Sequence, residues 1–222
     1  MIVGLCKSEF LEGYVLRTFG LDKDSLRYPQ VRSWIGGVDI YFNDEETWQR
    51  VKESLGIYVY ADRRIEMEEV VGELLREKRL KLAVAESCTA GLLSARLVNV
   101  PGSSDYFVGG FVVYSNELKT KLLSVEKELL EKYGAVSEEV CRAMCIGALE
   151  ETDADITVAI TGVAGPSASE RKPAGLTYVG LCTDKDVHVE RHMLNLSRNE
   201  NRFLATQIAL NLLRKYLLGV LK

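Results

Sequence analysis

Histidine is scarce in this sequence: only His188 and His192 occur among 222 residues. Both lie in a segment that alternates like a strand, where their spacing puts them on one face, far from any turn-rich junction. Their expected role is structural, and a Ser-His-Asp triad finds no support. Cysteine is sparse and odd in number: Cys6, Cys88, Cys141, Cys145 and Cys182. That scatter fits a reducing compartment better than a disulfide framework. Cys141-x3-Cys145 falls in a helical pattern. With no other Cys or His pair at metal spacing, it reads as core filler, and no metal is expected.

Long apolar runs are missing too. One of the longest charge-free stretches, Ile156 to Ser169, contains Gly162, Gly165 and Pro166 and falls short of the roughly 20 residues a bilayer span needs. Met1-Ile2-Val3-Gly4 is no basic region leading into an apolar core, so export is not expected and a cytoplasmic location is. Nor is there an excess of positive charge: 28 Lys plus Arg stand against 32 Asp plus Glu. Proteins that coat nucleic acid need clustered cations, so neither nucleic acid nor membrane is an expected partner. Gly-x-Gly-x-x-Gly and the P-loop Gly-Lys-Ser/Thr are both absent.

What is present reads as two parts. In the first, Val38, Ile40 and Phe42 alternate with polar positions over Gly37–Phe42, a strand signature. Asp44 then caps a helix through Trp48, Val51 and Leu55 that Gly56 stops, and Ile57–Tyr60 reads as a second strand. Charge and turn character cluster at Arg63–Arg64, giving a small α+β domain over residues 1–64 and a larger unit over 65–222. The larger unit opens with a helix carrying Met67, Val70, Val71, Leu74 and Leu75. A short strand follows over Lys81–Ala85, then a small-residue helix over Ala90–Leu97 and a long strand over Tyr106–Tyr114. Helices start at Asn116 and Ser137. Ile156–Thr161 is a buried-type strand ending in Gly162. Gly175–Cys182 and Val187–Leu194 form a hairpin about Asp184-Lys185-Asp186, and a last helix spans Asn199–Leu218. This alternation predicts a layered α/β domain with a mixed sheet.

In open α/β sheets ligands collect beyond the carboxyl ends of strands. Three junctions qualify. Glu86-Ser87-Cys88-Thr89-Ala90-Gly91 puts two hydroxyls and a thiol where a strand enters a helix, whose free amides could hold an oxyanion or a phosphate. An ordinary N-cap has the same look. Tyr114-Ser115-Asn116-Glu117-Leu118-Lys119 offers a lysine that would act as a general base if desolvated and is otherwise solvated. Thr161-Gly162-Val163-Ala164-Gly165-Pro166 lets backbone amides approach a ligand, as a plain turn also would.

Together these three junctions, with Pro101-Gly102-Ser103-Ser104 and Gly134-Ala135-Val136-Ser137, resemble the C-terminal domain of CinA-type proteins, the nicotinamide mononucleotide amidohydrolases also called PncC. The motifs run in register over about Glu66–Tyr216. More weakly, Leu16-Arg17-Thr18-Phe19-Gly20 and Ile57-Tyr58-Val59-Tyr60 are similar to the KH-type middle domain that precedes this module in long members. That part lacks the Gly-x-x-Gly loop of nucleic-acid-binding KH domains. The pyrophosphatase-like first domain of long members has no counterpart in the sequence.

The resemblance implies hydrolysis of the mononucleotide carboxamide to nicotinate mononucleotide and ammonia, without a cofactor. It assigns the nucleophile to Ser87, the base to Lys119 and a supporting tyrosine to Tyr114. Substrate contacts fall to Thr161, Gly162, Gly165, Thr89, Arg198 and Arg202, and pairing into a homodimer fits family behaviour. Two other readings stand beside it. One is an amidase whose nucleophile is Cys88, assisted by Glu86 and Lys119. The other is a nucleotide-binding regulatory module without turnover, motivated by Ser167-Ala168-Ser169 in place of an acidic, glycine-rich stretch.

Overall fold

The computed structural model describes residues 13–28, 30–169 and 172–221. Cys6 and the Met1–Gly4 segment lie outside the described residues. The chain divides into two compact units, Met1–Glu66 and Met67–Lys222.

Among the described residues, the first unit is an antiparallel sheet with one α-helix. Its elements are β1 (Tyr14–Thr18), β2 (Val31–Trp34), β3 (Gly37–Phe42), α1 (Glu45–Leu55) and β4 (Val59–Ala61), with strand order β2-β3-β1-β4. Asp44 caps α1 by accepting from the Thr47 amide at 2.8 Å, and Gly56 ends it at φ 51°. Leu16, Val38, Ile40, Phe42 and Val51 form the core between sheet and helix. The strand expected over Ile57–Tyr60 is shorter. Gly56–Tyr58 is a 3-10 turn, because the chain leaving α1 at Gly56 must wind once more before it reaches the β1 edge. The Tyr58 carbonyl already accepts from the Phe19 amide at 2.9 Å.

The second unit comprises α2 (Met67–Lys78), β5 (Leu82–Glu86), α3 (Leu92–Val98), β6 (Phe107–Val112), α4 (Asn116–Leu123), α5 (Lys127–Tyr133), α6 (Glu138–Glu150), β7 (Ile156–Gly162), β8 (Leu176–Cys182), β9 (Val187–Met193) and α7 (Arg198–Leu217). The sheet order is β6-β5-β7-β8-β9. β6, β5 and β7 run parallel, while β8 and β9 add as an antiparallel hairpin. The mixed sheet expected from the alternation is therefore present. On one face, Ala85 and Ala159 are small enough for α6 to lie close, and Cys141, Met144 and Cys145 fill the space between. Cys141 and Cys145 are fully buried, with their thiols against the Ala159 and Thr157 carbonyls. Strand alternation turns Val84, Val158 and Ile160 to the other face, on which α3 and α7 pack. Where α6 crosses the end of α4, glycine is required. A Cβ on Gly147 would sit 2.0 Å from the Leu123 carbonyl oxygen.

α3 begins later than the sequence pattern suggests. Ala90 (φ 49°) and Gly91 (φ 88°) take left-handed backbone, so Ser87–Gly91 is a turn and the helix starts at Leu92. α5 was not anticipated; it is only 7 residues long and has no side-chain cap to announce it. Among the described residues no helix is long and apolar enough to cross a membrane, and no cluster of three His, Cys, Asp or Glu could hold a metal. His188 and His192 do share a face of β9, flanking Glu190. His192 Nε2 lies 2.9 Å from its carboxylate, and that hydrogen bond holds the Glu190 carboxyl below its usual range.

One buried ion pair ties the helices of the α3 side together. Arg96 on α3 donates to both Glu68 oxygens on α2, at 2.6 and 3.3 Å, and to Thr206 on α7 at 2.7 Å. A further bond goes to Gln207, and the guanidinium stacks over the Phe203 ring. Removing one member of such a pair strands a charge in the interior. Arg96→Ala is expected to lower the unfolding free energy by about 3–5 kcal/mol, measured by urea titration. A loss within experimental error of zero would show that the pair does not bind these helices.

Candidate active site

Ser87 is the first residue past β5, and its amide donates to the Ile160 carbonyl of β7 at 3.0 Å. It is thus fixed at the carboxyl ends of two neighbouring parallel strands. Its hydroxyl meets Lys119, which arrives from α4. Ser115 caps that helix by accepting from the Leu118 amide at 3.1 Å, and one turn on from the cap Lys119 projects inward. The lysine is 1% exposed. Its Nζ lies 3.1 Å from Ser87 Oγ, 2.9 Å from the Val113 carbonyl and 3.2 Å from the Tyr114 carbonyl. The solvated alternative for this lysine is therefore ruled out by its position.

The turn that carries Ser87 is held from both sides. From within, the fully buried Glu86 carboxylate accepts from the Leu93 amide at 3.0 Å, the Ser94 amide at 2.8 Å and the Ser94 hydroxyl at 2.7 Å. A negative group at a helix N-terminus is favoured by the dipole. The first amides of α3 are consequently occupied, and they are not the free anion-binding groups that the sequence pattern suggested. The Cys88 and Thr89 amides, inside the turn, donate to no backbone carbonyl among the described residues. From outside, Arg202 on α7 donates to the Cys88 carbonyl at 3.1 Å and the Thr89 carbonyl at 2.9 Å.

The remaining sequence candidates fall into two groups. Thr161 is buried beside Ser87's strand ends, with its hydroxyl donating to the Ala135 carbonyl at 2.7 Å. Thr89 is fully buried, and its hydroxyl oxygen has no partner among the described residues. Gly165 (φ 88°) accepts from Arg198 at 2.7 Å, and Ala164 accepts from Asn201 at 3.0 Å. So Arg198, Asn201 and Arg202, within the first turns of α7, hold the loops after β5 and β7. Tyr114 contributes its carbonyl to Lys119, while the residue as a whole is 62% exposed, so its ring stands at the surface rather than inside. Gly162 serves space rather than backbone approach: a Cβ there would lie 3.2 Å from Cys88 Sγ and 2.8 Å from Thr177 Oγ1.

Sequence reading passed over two positions. Glu86 reads from the sequence only as a helper to a cysteine nucleophile, because its place before the turn lies outside the N-cap and first-turn positions where an acid signals a helix start. Asn201 gave a signal that went unused: an amide side chain on the apolar stripe of a long helix needs partners, and it finds them in Leu196 and Ala164.

Residues 64–217 match the CinA C-terminal domain family. Over 190 residues, 82% of this chain and 48% of the relative, the sequence is 44% identical to a CinA-like protein from Sulfurihydrogenibium sp.. A CinA-like protein from Thermotoga neapolitana is 46% identical over 78% of this chain and 42% of its own length. The chain thus spans less than half the length of these curated relatives. Among solved structures, a CinA superfamily protein from Klebsiella pneumoniae superimposes with a TM-score of 0.68 at 30% identity, covering 69% of this chain and 96% of that one.

Burial pushes the Cys88 thiol up to about 12 from an ordinary 9.0. The thiolate therefore forms more readily in the unfolded chain than in the native one. Stability contributed by the neutral buried thiol is complete below pH 9 and drains away as pH rises towards 12. Iodoacetamide at pH 8 is expected to leave Cys88 unmodified in the native protein and to label it once urea is added, read by peptide mass mapping. Rapid labelling of native Cys88 would contradict this environment.

Proposed function

Because the chain belongs to the CinA C-terminal domain family, we propose that it is an amidohydrolase that deamidates nicotinamide mononucleotide, with Ser87 as nucleophile and Lys119 as its base. The observation that carries this reading is the 3.1 Å contact between Ser87 Oγ and the Nζ of a lysine that is 1% exposed. A buried serine–lysine pair beyond the strand ends supplies a nucleophile and a proton acceptor without histidine.

In the scheme this supports, Lys119 in its neutral form takes the Ser87 proton as Oγ attacks the carboxamide carbon. The Val113 and Tyr114 carbonyls then accept from the resulting ammonium and keep it aimed at Ser87. The carbonyl oxygen becomes an oxyanion, for which the Cys88 and Thr89 amides are the donors at hand. Collapse of the tetrahedral adduct breaks the C–N bond. Lys119 returns the proton to the departing nitrogen, which leaves as ammonia. Water, activated by the same lysine, cleaves the acyl-serine to the carboxylate and restores Ser87. Arg198 and the Gly165 loop offer positive charge and backbone for a substrate phosphate, and the exposed Tyr114 ring offers a face on which the pyridine can stack. Thr161 lines the same end of the sheet.

A Cys88 nucleophile is less well served. Its thiol is held neutral by burial, and Glu86, the acid that would assist it, is committed to α3. The expected outcome for Ser87→Ala and for Lys119→Ala is a loss of ammonia release of at least about 10³-fold, with unfolding transitions close to that of the parent. Cys88→Ser is expected to retain turnover. Wild-type rates in either of the first two variants would sink the proposal. Binding of the mononucleotide by the parent protein without ammonia release would favour a regulatory module instead.

A further inference from the structure

The resemblance implies Arg202 as a substrate contact, yet its guanidinium is already engaged. Nε donates to the Cys88 carbonyl, Nη2 to the Thr89 carbonyl, and Nη1 reaches Asn199 Oδ1 at 3.4 Å. All three nitrogens are directed at the chain itself, and two of them at successive peptide groups immediately after the nucleophile. We infer that Arg202 is a positioning residue that orients the nucleophile turn and polarises the Thr89 amide, one of the two that would receive the oxyanion, and not a substrate ligand. This inference rests on the amidohydrolase reading above and assigns a role within that same site.

The coupling runs through the peptide plane. A carbonyl and the following N–H belong to one conjugated unit, so a cation hydrogen-bonded to the oxygen withdraws electrons from the nitrogen and makes its N–H a better donor. The Cys88 carbonyl shares its unit with the Thr89 amide, one of the two turn amides that no backbone carbonyl among the described residues occupies. The other, the Cys88 amide, shares its unit with the Ser87 carbonyl, which accepts from the Ala90 amide at 3.1 Å. Both candidate donors are therefore backed by a hydrogen bond on the far side of their peptide, one from a neutral amide and one from a full positive charge. The same bonds fix the turn's orientation. With Glu86 holding the α3 end and Arg202 the outer side, Ser87–Gly91 has little freedom to swing away from the strand ends. Arg198 and Asn201 brace the other loop, so substituting Arg202 leaves that loop's bonds in place.

The test compares Arg202→Ala and Arg202→Lys with the parent protein on nicotinamide mononucleotide and on the riboside that lacks its phosphate. The expected result is a fall in kcat of about 10–100-fold for Arg202→Ala on both substrates, below the cost of deleting an oxyanion donor outright. KM for the mononucleotide is expected to stay within about threefold, and guanidinium ion at millimolar concentration to restore part of the lost kcat. Arg202→Lys, which keeps charge but cannot span two carbonyls, should fall between. A rise in KM confined to the phosphorylated substrate would overturn the inference and make Arg202 a phosphate ligand. Unchanged kinetics in Arg202→Ala would overturn it as well. Hydrogen exchange supplies a readout that needs no turnover: Ser87–Gly91 amides should exchange faster in Arg202→Ala, while the Val163–Pro166 loop keeps its parental rate. Should the parent release no ammonia, the amidohydrolase reading falls, and unchanged exchange at Ser87–Gly91 would separately overturn the positioning role.

Discussion

The carboxylate of Glu86 is the fixed point of the larger unit. It is fully buried at the last position of β5, and a charge in that place is tolerable only because two helix amides and a hydroxyl turn towards it. Satisfying it dictates where α3 begins and how it points. Four residues, Cys88 to Gly91, and Ser87 before them must then bridge strand and helix in a tight left-handed detour, which Ala90 and Gly91 absorb. Ser87 is exposed to Lys119 because the chain cannot enter the helix directly. An electrostatic need and a reactive hydroxyl thus share one turn.

A second tier of polar contacts keeps that turn in register with the rest. Arg96 gathers α2, α3 and α7 through Glu68, Thr206 and Gln207, and the same α7 begins with the three side chains that hold the loops after β5 and β7. The interior of this unit is therefore apolar on the α6 face and carries a charged network on the α3 face. Polar networks of this kind specify one arrangement when every member is satisfied. Here that arrangement includes the distance between two loops separated by more than seventy residues in sequence.

Much of this was legible beforehand. Alternation and caps located β3, α1, β7 and α7, and the starts of α4 and α6, within a residue or two, with Asp44 and Ser137 each marking a helix start. The family resemblance implied Ser87 and Lys119, and it also implied Arg198 and Arg202 without showing that both bond backbone carbonyls. The gaps have physical causes. β1, β2 and α5 are short, and β1 pairs with strands more than twenty residues further along the chain. The left-handed turn at Ala90 hid the true start of α3, since an alanine there gives no local sign of positive φ. Charge burial at Glu86, Glu68 and Arg96 depends on tertiary neighbours, which a charge pattern read along one segment cannot supply.

The missing side chain at Gly162 bears on what the neighbouring thiol is for. Cys88 occupies the volume that any larger residue at position 162 would claim, so the two positions exchange size across the gap between β7 and the nucleophile turn. Sulfur fills that gap with a single bulky, polarisable atom. The thiol beside the nucleophile is then a spacer that sets the height of Ser87 above the strand ends, and its contribution is thickness.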